Sequence, residues 1–220
     1  MKVADLFKAL SYGDLSNSSI AVEATGTIKE EYHPQIIQFA NDALLRIYSH
    51  FMLLRKSVFI VQDKDVHLYP LRPGEPFIED LDFEGDVIRI HGVYNAFGQP
   101  LPLDDTRNPK SMSTPQDHVL YIPEPEHGCR LEIEYQARHP ILDPKDFDQK
   151  IEIPVGLEEA LKAYIAHRVF AGINTPEAIQ NSTAHLSRFQ SILADGEQAG
   201  WINTNSIAGK NSKFESRGWV

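Results

Sequence analysis

Of the fourteen prolines in the chain, only Pro34 and Pro176 lie outside residues 57–154. A proline inside a helix removes a backbone hydrogen bond and clashes with the preceding turn. The central stretch therefore cannot hold long helices, and helical structure is confined to the two flanks. Within it, SVFIVQ, VHLYPL, DVIRIHGVY, HVLYIPEP and CRLEIEYQA are rich in β-branched and aromatic residues and are bounded by Pro, Gly and Asp. Such segments read as short strands joined by turns. LEIEY, residues 131–135, alternates as a half-buried strand does. Residues 102–118, ending in TRNPKSMSTPQDH, read as a long exposed loop.

The flanks carry a different period. MKVADLFKAL predicts a short amphipathic helix burying Val3, Leu6, Phe7 and Leu10. The polar stretch that follows it predicts loop or weak structure. From Pro34, at a first-turn position, Ile37, Ala40, Leu44, Ile47, Phe51 and Leu54 recur at spacings of three and four, widened by Leu45, Tyr48 and Met52. That predicts a helix of about 21 residues, about 30 Å long. In the second flank, Leu157, Leu161, Tyr164, Ile165 and Val169 share a side, and Ala160, Ala163 and Ala166 permit close approach. Glu158 and Lys162 are spaced as an i,i+4 pair. Gly172 is placed to end this helix in the left-handed conformation. Thr175-Pro176 is a cap and first-turn pair for a further helix burying Ile179, Leu186, Phe189 and Leu193, stopped by Asp195-Gly196.

The expected fold is α+β. N-terminal helices (1–56) and a C-terminal αα-hairpin (155–199) form a helical bundle. A Pro-rich β region (57–154) is inserted, and an extended C-terminal arm (200–220) follows. No apolar run reaches the roughly 20 residues of a membrane span, and the N-terminus makes a poor signal peptide. With a net charge of −10, the surface as a whole is unsuited to gripping DNA or anionic lipid. The single cysteine, Cys129, excludes an intrachain disulfide and fits a reducing compartment.

Signatures of catalysis are missing. There is no phosphate-loop, dinucleotide, zinc-protease or nucleophile-elbow motif. The nine histidines show no metal-ligand spacing, although His167 and His185 fall on neighbouring helices. Asp80, Asp82, Glu84 and Asp86 would share one face of a strand; a solvated edge that resists edge-to-edge pairing is favoured over a cation site. Asp143, Asp146 and Asp148 lack the glycine of a calcium loop and read as a turn. Cys129 has His127 close in sequence, but the pair does not make an activated nucleophile. We expect no catalytic residue, no metal and no cofactor.

After Gly200 the periodicity ends, yet Trp201, Ile202, Ile207, Phe214 and Trp219 punctuate a ribbon of Asn, Ser, Gly and Lys. Those few apolar groups fall short of the backbone entropy of ordering the segment alone. Ordering against a partner, with indoles as anchors, would close the gap.

Two stretches resemble the head-to-tail adaptors of short-tailed bacteriophages, the tail tubular protein A-like or head-completion family. In the first, Asn41-Asp42-Ala43-Leu44 sits in a helix leading into β structure. In the second, Ile151-Glu152-Ile153-Pro154 opens a helix carrying Ala160-Leu161-Lys162-Ala163-Tyr164. The resemblance implies a virion structural protein at the head–tail interface, assembled in the host cytoplasm. Its copies would form a homo-oligomeric ring, typically a dodecamer, between the portal protein and the tail nozzle protein. Double-stranded DNA would pass through the lumen without specific binding, and no membrane would be involved. Portal binding would fall to Trp201, Ile202, Ile207, Phe214 and Trp219. Two other readings remain open. One is a carbohydrate- or receptor-binding tail module whose β region stacks ligand on Tyr69, Phe77, Tyr94 and Phe97. The other is a hydrolase with residues 102–118 as a lid over a deep pocket.

Overall fold

The computed structural model describes residues 1–16, 18–22 and 27–200. In chain order the elements are α1 (Val3–Tyr12), β1 (Ala21–Val22), β2 (Thr27–Ile28), a 3-10 turn (Glu30–Tyr32), α2 (His33–His50), β3 (Arg55–Val61), β4 (Leu68–Pro70), β5 (Val87–Asn95), β6 (Ser113–Gln116), β7 (Val119–Tyr121), β8 (Arg130–Ala137), α3 (Val155–Ala171) and α4 (Pro176–Gln198). They fall into two compact units: Met1–Met52 with Ile141–Val220, and Leu53–Pro140.

The expectation of a helical bundle completed by an αα-hairpin is overturned. Among the described residues the chain is a mixed α+β fold with four α-helices and two three-stranded antiparallel sheets. The physical reason lies partly in α1. Its apolar stripe is covered in part by an irregular segment, together with β2 and the edges of α2 and α3. Val3 N–H donates to the Gln149 carbonyl and Ala4 N–H to that of Phe147, while Lys2 and Lys150 pair as an isolated bridge. The Phe7 ring meets His33 and Phe147 edge-on, at centroid distances of 4.9 and 5.5 Å. The polar stretch beyond α1 folds back as the antiparallel pair β1–β2.

In the same unit, α2 buries Ile36, Ile37, Ala40, Ala43, Leu44, Ile47 and Tyr48. It ends at His50, where Phe51 turns extended, so Leu54 is not helical. The α3 positions expected inside are buried, including all three alanines. Gly172 ends α3 in a right-handed turn with φ −80°, not a left-handed one. Thr175 caps α4, its Oγ1 accepting from Ala178 N–H at 3.2 Å. Helix α4 runs on past Asp195-Gly196 to Gln198, and its buried stripe is Ala178, Ser182, Phe189, Leu193 and Gly196. Ile179 is 56% exposed. Phe189 and Leu193 are buried as expected and Leu186 is half-buried; only the start of the stripe differs, with small Ala178 and Ser182 inside in place of Ile179. Lys162 pairs with Glu159 at 3.0 Å, and Glu158 is turned elsewhere.

The other unit has β8 at the centre of one sheet, between β3 and β5, and β7 at the centre of the other, between β4 and β6. Along β8, Leu131, Ile133, Tyr135 and Ala137 are buried. Val58 and Val93 flank Ile133 from either side. Tyr69, Leu120 and Ile122 join this core from the second sheet and its end. On the opposite face of β8, Glu134 takes Arg55 at 2.7 Å and the Tyr94 hydroxyl at 3.1 Å.

Candidate functional site

Trp201, Ile202, Ile207, Phe214 and Trp219 lie outside the described residues. Two surfaces within them have the makings of a site.

The first belongs to the helical unit. Asn41 holds the backbone of Leu142 from both sides, donating to its carbonyl at 3.3 Å and accepting its N–H at 2.9 Å. Asp42 meets Arg168 of α3 at 3.2 Å, and the Tyr48 hydroxyl donates to the Glu152 carbonyl. Burial first, and the Glu152 charge second, push the Tyr48 hydroxyl up to about 12, so it remains a donor across the physiological range. The two sequence stretches that resemble the phage adaptors are thus neighbours in space. Over them runs an open groove of about 690 Å³ with Leu45, Arg46, Tyr164, Arg168, Phe189 and Leu193 among its walls. The Arg46 guanidinium lies 5.2 Å from the Tyr164 ring centre and Arg168 lies 4.9 Å from that of Phe39. Both are cation–π geometries.

The second surface is a cleft of about 550 Å³ in the β unit. Its floor is apolar, with Leu101, Met112, Ile122 and Leu131, and Phe97 stands at its edge, 88% exposed. Its rim carries Lys110, Glu124 and Glu126, with Lys110 bonded to Glu124 at 3.0 Å. Gln62 forms part of the wall and is only 5% exposed. Its Oε1 accepts the Glu126 N–H at 3.0 Å, which fixes the amide's orientation.

Residues 102–111 are irregular and mostly exposed, as expected of a loop, but Pro102, Asn108, Lys110 and Met112 line this cleft and Ser113–Gln116 pairs as β6. Met112 is buried and trades backbone hydrogen bonds with Pro102 and Asp104. Asp104 adopts a left-handed φ of 54°, and its carboxylate accepts from the Thr114 N–H and hydroxyl. That conformation is tolerated by Asp better than by most residues.

No protein-family model matches the chain, and no curated protein matches it.

The four aromatics expected to form a stacking platform are not brought together as one. Tyr69 is fully buried with Phe77 packed edge-on against it at 5.0 Å, and Tyr94 is tied to Glu134. Only Phe97 is freely exposed. The acidic stretch is not a strand either. Asp80 accepts the Phe59 N–H at 2.7 Å, while Asp86, 4% exposed, takes Tyr135 at 3.0 Å and Lys56 at 2.7 Å. Burial, then Asp86, raise the Tyr135 hydroxyl above its ordinary range. Asp80 thus holds β3, and Asp86 joins β3 to β8. Among the described residues no group of three or more His, Cys, Asp or Glu side chains could hold a metal ion.

His167 and His185 sit on facing helices but take separate partners. His167 Nδ1 is 2.9 Å from the Ser182 hydroxyl, and His185 stacks on Phe170 at 5.6 Å. Burial is the main cause that lowers His185 below 6.5. Cys129 is half-buried in the turn that returns to Gln62, and His127 is turned toward Asp63 at 3.9 Å. Sequence reasoning missed Gln62, Lys110, Glu124 and Glu126. The only signal was Pro123-Glu124-Pro125-Glu126-His127-Gly128, a turn whose polar residues have no period to show where they point. Among the described residues no helix is long and apolar enough to cross a membrane.

Proposed function

We propose that this protein is a virion structural protein, the head-to-tail adaptor of a short-tailed bacteriophage, acting by binding and not by catalysis. In this reading its copies form a ring, a dodecamer by the family's habit. The ring joins the portal protein to the tail nozzle protein and surrounds the DNA ejection channel. The observation that carries the reading is the meeting of its two signature stretches. Asp42 and Tyr48 of α2 bond to Arg168 of α3 and to Glu152 just before it, across more than a hundred residues of chain. The two segments lie together in one compact unit, as parts of a single ring subunit would.

The charge balance also supports the reading. A net charge of −10 keeps phosphates from adhering to a channel wall. The arm after Gly200 runs against that balance, with Lys210, Lys213 and Arg217 to a single acid, Glu215. With its aromatics, such a segment suits protein contact better than a DNA-facing wall does. In this proposal Trp201, Ile202, Ile207, Phe214 and Trp219 grip the portal.

The test is to mix purified protein with portal rings and image the product by electron microscopy. The full chain is expected to add a ring of density to the portal face. A chain truncated after Gly200 is expected to keep its circular dichroism spectrum and lose attachment. Attachment of the truncated chain at full strength would remove the arm's role, and failure of the full chain to bind any portal would remove the adaptor reading.

A further inference from the structure

The cleft in the β unit presents three features that together describe a ligand. Gln62 is 5% exposed and spends its Oε1 on the Glu126 N–H, while its Nε2 has no partner among the described residues. That leaves one amide donor open to the cleft, free to bond an acceptor on an occupant. The floor of Leu101, Met112, Ile122 and Leu131, with exposed Phe97 beside it, offers apolar surface to a side chain. The rim is net negative. Lys110 is committed to Glu124, and Glu126 has no ion pair among the described residues.

A complementary occupant would supply a carbonyl acceptor, a large apolar side chain and a cation close to it. A peptide carrying an aromatic residue beside a basic one supplies all three. The backbone carbonyl meets Gln62, the ring fills the floor, and the ammonium or guanidinium meets Glu126. Within this chain, residues 201–220 contain that pairing twice, as Lys213-Phe214 and as Arg217-Gly218-Trp219. We infer that the Gln62–Phe97–Glu126 cleft receives the aromatic–basic C-terminal segment of a second copy of this chain.

This goes beyond the adaptor reading and does not depend on it. Should the adaptor reading hold, the same aromatics have two destinations, a neighbouring copy before the portal is met and the portal afterwards. The two contacts compete, because one side chain cannot fill both.

Cys129 lines the cleft and is the chain's single cysteine, so its alkylation rate reports occupancy. In the full chain, the rate is expected to fall as protein concentration rises, because occupancy is between copies. At fixed low protein concentration, a synthetic peptide of residues 201–220 is expected to slow alkylation about tenfold when present at ten times its Kd. Replacing Phe214 and Trp219 by Ala in the peptide is expected to abolish that protection. In the protein, Glu126→Lys and Phe97→Ala change exposed side chains, so they test the cleft without threatening the core. Each is expected to weaken the peptide about three- to tenfold, the charge change more strongly at low salt. Three outcomes would overturn the inference: a rate indifferent to both protein concentration and peptide, protection retained by the peptide without its aromatics, or protection by neutral oligosaccharides in place of the peptide. None of these readouts involves portal, so failure here leaves the portal experiment to stand or fall by itself.

Discussion

The β unit is built from one continuous stretch, residues 53–140, whereas the helical unit is closed by joining residues 1–52 to residues from 141 onward. The first finds its partners within that one stretch, although β3 and β8 come from its opposite ends. β8 pairs with β3 and β5, and the core of Val58, Tyr69, Ile133 and Tyr135 is complete within it. The second depends on distant contacts such as Asn41 with Leu142 and Val3 with Gln149. A continuous unit can settle without waiting for the rest of the chain, while a closed one cannot. The β unit also holds the cleft lined by Gln62, Phe97 and Glu126.

The severest test of that contrast is dissection. A fragment of residues 53–140 is expected to unfold cooperatively in urea, whereas residues 1–52 alone are expected to show no cooperative transition. A structureless 53–140 would break the comparison outright. Next in size is Leu161→Ala, which removes a side chain with no exposure from the heart of α3. A loss of about 2–5 kcal/mol is expected from denaturant titration, the larger values corresponding to a cavity that does not collapse.

A smaller effect is expected in the β unit from Asp86→Ala. It strips the acceptor from the Tyr135 hydroxyl and the partner from Lys56. Orphaning the buried hydroxyl costs about 1–3 kcal/mol, and adding Tyr135→Phe is expected to recover part of that loss. No recovery would mean that Asp86 acts through Lys56 alone.

The smallest effect is acid sensitivity, and it occurs in both units. Burial is the leading cause that lowers His185 in the helical unit and His91 in the β unit below 6.5. The unfolded chain therefore takes up these protons at higher pH than the folded chain, and stability falls as pH drops through 6.5. Melting temperature followed from pH 8 to pH 5 is expected to decline less steeply in His185→Gln and in His91→Gln than in the parent. Identical slopes in all three would remove both histidines from the account.

What the sequence disclosed and what it concealed divide along physical lines. The stripe of α2, the Thr175 cap and the alternation of LEIEY depend on local period and capping chemistry, and each is written within a few residues. The start of the α4 stripe was hidden because it rests on small residues. Ala178 and Ser182 are buried in place of Ile179, and period analysis weighted by large apolar groups overlooks them. The role of α1 was hidden for another reason: part of its cover is the irregular segment around Phe147, which has no period at all. The acidic stretch misled because alternation suggested a strand, while the carboxylates of Asp80 and Asp86 were each committed to a different backbone or side-chain donor. The cleft followed the same rule. Its Gln62 wall and Glu126 rim come from separate turns, and only the three-dimensional chain brings them together.

The seam between α1 and residues 147–150 has a consequence during synthesis. On the ribosome, Val3, Leu6, Phe7 and Leu10 emerge more than a hundred codons before Phe147 and Gln149, which pack against this helix. At roughly 5–20 residues per second that interval is on the order of ten seconds. Throughout it the apolar stripe of α1 lacks the part of its cover that Phe147 supplies, a target for a holdase chaperone until translation delivers it.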